Sequence, residues 1–130
     1  MDGIPRIIVK CIEMVDREGL EETGIYRVCC VTSDLQKLRS EFDRQPLRAE
    51  EMLTGKSVHV AANLLKLFFR ELPEPLFTST LYRQFVYATQ LTDTDNRRVT
   101  LLKTFELLHP DNRRILLYLL DHLLRVSQYA

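Results

Sequence analysis

Apolar residues in this chain recur at helical spacing almost from end to end, and nowhere with the period of two that marks a half-buried strand. That single pattern confines the fold to packed helices. Ile8, Cys11, Ile12 and Val15 give residues 5–17 one apolar face, with Pro5 suited to a first turn and Gly19 placed where a helix commonly stops. Ser33-Asp34-Leu35-Gln36 reads as a capping box opening a second helix with Leu35, Leu38 and Phe42 inward. Residues 43–56, punctuated by Pro46 and Gly55, read as a connecting loop with room for one short helical turn. Ser57 then caps a third helix reaching Leu72, where Pro73 prevents continuation, with Ala61, Leu64, Leu65, Phe68 and Leu72 inward.

Two ordinary amphipathic helices follow. Residues 79–91 turn Leu81, Phe85 and Ala88 inward, and residues 95–108 use Val99, Leu102, Phe105 and Leu108. After His109-Pro110, residues 111–126 are apolar almost all round, the pattern of a central, surrounded helix. The expected fold is all-α, a bundle of about six helices in one domain.

Several function classes are excluded by what is missing. Lys+Arg and Asp+Glu balance at 18 each, so no net field favours nucleic acid or an anionic membrane, and any charge recognition is local. No apolar run approaches the ~18 residues needed to span a bilayer. Cys11, Cys29 and Cys30 form no metal or redox spacing, which points to a reducing compartment and the cytoplasm, with Cys29 and Cys30 as free thiols. There is no phosphate-cradling glycine motif and no nucleophile elbow. His59, His109 and His122 read as surface or helix-end residues.

Two stretches stand out. Glu22-Thr23-Gly24-Ile25-Tyr26-Arg27-Val28 lies between the first two helices and flanks one arginine with large apolar anchors. On the third helix, His59, Asn63, Lys66 and Arg70 fall within an arc of about 60°, away from the apolar stripe. Lys66 and Arg70 place like charges at i,i+4, which costs a few tenths of a kcal/mol unless something offsets it. The carbonyls of the arginine loop, or a partner surface, could do so.

These stretches carry a resemblance. Gly3-Ile4-Pro5, then Gly24-Ile25-Tyr26-Arg27, then Leu65-Lys66-Leu67-Phe68-Phe69-Arg70-Glu71-Leu72-Pro73-Glu74-Pro75-Leu76 match in order, spacing and identity the Rho-family GTPase-activating (RhoGAP) domain. The chain resembles that family over essentially its whole length. The resemblance implies a GTPase activator for Rho/Rac-type small GTPases, not an enzyme in its own right. In that role Arg27 is an arginine finger supplied in trans, Lys66 contacts the bound GTPase, and Arg70 holds the finger loop through its backbone. It also implies no cofactor of the chain's own, since the partner carries GTP and Mg²⁺.

Two departures from the family pattern qualify the expectation. Val28-Cys29-Cys30 stands where the family often has Val-Ser-Gly, so a loop needing positive φ at residue 30 would be strained. The family's later Asn-Leu-Ala segment is absent from residues 1–130, which reads as a partial domain, incomplete at its C-terminus and marginal in stability. The alternative is accordingly a truncated, non-catalytic GTPase-binding module.

Overall fold

The structure, a computed structural model, describes residues 3–129. Among these, seven helices and no strands are present: α1 (Arg6–Glu18), α2 (Thr32–Arg44), α3 (Pro46–Thr54), α4 (Val58–Arg70), α5 (Ser79–Thr89), α6 (Thr94–Glu106) and α7 (Pro110–Ser127).

The main core forms where α1 lies along α4. From α1 it takes Ile7, Ile8, Cys11, Ile12, Met14 and Val15, at the i, i+3, i+4 spacing that makes one face. Ala61, Ala62, Leu64, Leu65 and Leu67 meet them from α4, and the two fully buried alanines leave room for the helices to approach. Leu35, Leu38 and Phe42 of α2 and Ala49 and Leu53 of α3 close the cluster. Burial lifts the Cys11 thiol to about 12, so it serves as a small apolar group. Gly19 ends α1 by donating its N–H to Val15 O at 2.8 Å. A Cβ at Gly19 would stand 2.8 Å from Val58 Cγ2, so glycine here lets the first turn of α4 close on the end of α1.

A smaller cluster of Leu81, Leu108 and Leu116, flanked by Leu76, Phe85 and Phe105, joins α5, α6 and α7. Four helices begin with side-chain caps, α5 among them, where the Thr78 hydroxyl accepts from Leu81 N–H. Ser57 accepts from His59 N–H, Asp93 from Asp95 N–H, and His109 Nδ1 from Asp111 N–H.

Four sequence expectations are corrected. Residues 43–56 contain a true helix, α3, whose two inward residues Ala49 and Leu53 are too few to show a period, while Pro46 supplies a helical φ at its start. Ser33 caps nothing, because α2 starts one residue earlier, behind Val31. Val99 and Leu102 of α6 face solvent, and Thr104 takes an inward position by donating its hydroxyl to Thr100 O. Finally, α7 is not surrounded. Ile115, Tyr118 and Leu119 pack on the main core, while Leu117, Leu120 and Leu124 are about half exposed or more, at 52%, 48% and 62%. Among the described residues, no helix is long and apolar enough to cross a membrane.

Candidate functional site

Between α1 and α2 the chain turns repeatedly. Glu22 N–H bonds Gly19 O, Ile25 N–H bonds Glu22 O, and both Arg27 N–H (2.8 Å) and Val28 N–H (3.0 Å) bond Gly24 O. Gly24 has φ +74, which glycine adopts freely, and a Cβ there would also meet Val28 Cγ2 at 3.0 Å. Tyr26, with φ +70, has no such freedom, and the left-handed region costs an ordinary residue about 1–2 kcal/mol. Something must hold it there.

The polar face of α4 is one part of the answer. His59 Nε2 lies 3.2 Å from Glu22 Oε1 at the start of the loop. Asn63, buried, donates from Nδ2 to Val28 O at 2.7 Å and to its own helix at His59 O. Lys66 Nζ donates to Tyr26 O at 2.7 Å. His59, Asn63 and Lys66 of the stripe expected to face away from the core therefore form the floor of the arginine loop, and the carbonyl of Tyr26 takes up the charge of Lys66. By the family resemblance, loop support falls to Arg70 and the partner contact to Lys66. In the structure it is Lys66 that reaches the loop backbone, while Arg70 stands exposed at the end of α4. Asn63 lies on the same stripe with no motif to mark it, and its hydrogen bond to Val28 O is what gives it a role.

Beneath the loop, the Tyr26 phenol hydrogen-bonds His122 Nε2, and the two rings meet edge to face at 5.6 Å. His122 Nδ1 lies 2.8 Å from Asp16 Oδ1, and Arg125 clamps the same carboxylate at 2.9 and 3.3 Å. His122 is fully buried, which corrects its reading as a surface or helix-end residue. No sequence spacing links residues 16, 26, 122 and 125. The signal that existed was a lone histidine inside an apolar helix. Burial raises the Tyr26 phenol well above its ordinary value, so it remains a proton donor.

Arg27 itself is exposed, and its guanidinium lies beside Gly24, close enough that a Cβ there would meet Nη2 at 3.5 Å. The site is thus an exposed arginine on a loop held by the polar face of α4 and by His122 of α7. Cys29 and Cys30 are free thiols, exposed and half-buried respectively. The positive-φ residues of the loop are Gly24 and Tyr26, so Cys30 is not strained by lacking glycine's freedom.

Burial also lowers the His122 pKa below its ordinary value of 6.5, against the pull of Asp16. The unfolded chain then takes up this proton first. Stability should be full above about pH 6.5 and fall as the pH drops below that value through the folded pKa. Denaturant midpoints measured from pH 7.5 down to 5 should show the decline, and a chain more stable at pH 5.5 than at 7.5 would contradict it.

The RhoGAP domain profile matches residues 5–130. The chain belongs to the RhoGAP family. This RhoGAP chain is 40% identical over 125 residues to the breakpoint cluster region protein of Homo sapiens, covering 96% of itself and 10% of that protein. To the GTPase-activating protein CdGAPr of Drosophila melanogaster it is 40% identical over 131 residues, covering 97% of itself and 7% of the relative. Among solved structures, human Rho GTPase activating protein 15 superposes with a TM-score of 0.83 at 34% identity, over 98% of this chain and 61% of that one. The BH domain of the GTPase regulator associated with focal adhesion kinase gives 0.82 at 29% identity, over 95% and 66%. This RhoGAP chain spans a tenth or less of the length of these two curated relatives.

Proposed function

We propose that this RhoGAP chain accelerates GTP hydrolysis by a Rho/Rac-type small GTPase, with Arg27 as a finger supplied in trans. The observation that carries the reading is an exposed arginine on a loop whose backbone is held at Tyr26 O by Lys66 and at Val28 O by Asn63. Among its relatives, one is named a GTPase-activating protein and another a Rho GTPase activating protein.

Transfer of the γ-phosphoryl group to water spreads negative charge over its oxygens, so catalysis is mostly a matter of placing positive charge and donors where that charge develops. Arginine suits this because its guanidinium is planar, always charged and rich in N–H donors. A loop already held in shape brings that charge with little reorganisation at the moment of reaction. Lys66 and, one turn further along the same face, Arg70 are both exposed beside the loop, and in this reading a GTPase docked over Arg27 meets both. In this reading GTP and Mg²⁺ belong to the partner, and the chain contributes no bond-making group of its own.

Single-turnover phosphate release from a GTP-loaded Rac or Rho protein tests the proposal. Rising concentrations of the chain should accelerate release to a plateau. Saturable binding with no acceleration would instead establish a binding module.

A further inference from the structure

Tyr26 is also fastened from below. Three helices meet at this residue. Lys66 of α4 takes its carbonyl, His122 of α7 takes its phenol, and Asp16 of α1 takes the far side of the His122 ring. The geometry points to His122, backed by Asp16 and Arg125, as the positioning residue that holds Tyr26 in its left-handed conformation, from which Arg27 projects. This inference rests on Arg27 being the finger only for its consequence in catalysis. The fastening itself is a property of the loop.

The order of hydrogen bonds gives the relay a direction. An ionised Asp16 can only accept, and Arg125 already donates to both of its oxygens. His122 must then donate through Nδ1–H, which leaves Nε2 as the acceptor of the Tyr26 hydroxyl. Arg125 fixes Asp16, Asp16 fixes the tautomer and tilt of His122, and His122 fixes the phenol. The groups facing His122 are thus Asp16, Arg125 and Tyr26, and each of its two ring nitrogens has one partner. A fully buried ring so occupied cannot rotate without orphaning both bonds.

The phenol in turn constrains the backbone. With its ring edge-on to His122 and its hydroxyl bonded, Tyr26 can leave φ +70 only by withdrawing from the core. Arg27 is the next residue, so any relaxation at Tyr26 swings the guanidinium.

Tyr26→Phe isolates this effect, because it deletes the hydroxyl and keeps the ring. Two readouts separate aiming from stability. The first needs no GTPase: trypsin cleavage after Arg27, followed as appearance of the peptide ending there, should quicken about three- to tenfold, the equivalent of one hydrogen bond lost from the loop. The second is single-turnover hydrolysis, in which the plateau rate should fall by a similar factor while the half-saturating concentration of the chain stays unchanged. His122→Gln, which can still present an acceptor to the phenol, should restore more of the plateau than His122→Leu.

Cleavage after Arg27 as slow in Tyr26→Phe as in the parent chain would overturn the inference. So would a plateau that is unchanged while only the melting temperature falls, because the contact would then be merely structural. If the parent chain gave no stimulation at all, the activating function would fail, and faster cleavage in Tyr26→Phe would still uphold the fastening.

Discussion

Arg27→Ala is expected to abolish measurable stimulation of hydrolysis while leaving association with the GTPase nearly intact. An arginine supplied in trans is worth about 10³ to 10⁵ in rate, or about 4 to 7 kcal/mol of barrier. Arg27 stands exposed outside both apolar clusters, so truncating it removes no core contact. Arg27→Lys should recover little, since an ammonium on a flexible stem cannot present the paired donors of a guanidinium. The check is phosphate release at saturating chain, together with direct binding to the GTP-loaded partner. Loss of rate with retained binding is the expected pair of results. An Arg27→Ala chain that keeps most of the stimulation would show that another residue supplies the charge.

The second large effect concerns stability. Ile12 is fully buried between α1 and α4 and has no route to solvent. Ile12→Ala should cost about 2–5 kcal/mol, through lost transfer energy and the cavity left behind. Against a typical total of about 5–15 kcal/mol, that is enough to leave a substantial unfolded fraction on mild warming. Leu124→Ser removes a side chain of similar size from a position 62% exposed on α7, and should move stability by only about 0.5 kcal/mol. Paired urea titrations would decide the point, and similar losses at the two positions would contradict the core assigned here.

What could be read before the fold was known follows from which interactions are local. α1, α4 and the ends of α7 were legible because an apolar face and a cap are written within one helix, as with Ile8, Cys11 and Ile12 or with Ser57. α3 was not, because two inward residues in nine make no period. Leu117, Leu120 and Leu124 misled in the opposite sense, since residue type records that a surface is apolar and not what lies against it. At the site, the motif around Arg27 pointed to the loop, and the arc of His59, Asn63, Lys66 and Arg70 pointed to the face beneath it. That Lys66 and Asn63 close on Tyr26 O and Val28 O depends on how α4 is rotated against α1, which the arc does not contain. The Tyr26–His122–Asp16–Arg125 chain was invisible for a stronger reason. Its members lie up to 109 residues apart and meet only through tertiary packing.

The most direct test uses a partner held at the transition state. A GDP-loaded Rac or Rho protein mixed with aluminium fluoride carries a charged, planar mimic of the transferring phosphoryl group, and only groups aimed at that charge should gain affinity from it. Binding of the chain should tighten sharply when fluoride is added, and binding of Arg27→Ala should be the same with and without it. Equal fluoride-dependent tightening in both chains would mean that Arg27 does not meet the transferring phosphate, and the account of this site would be wrong.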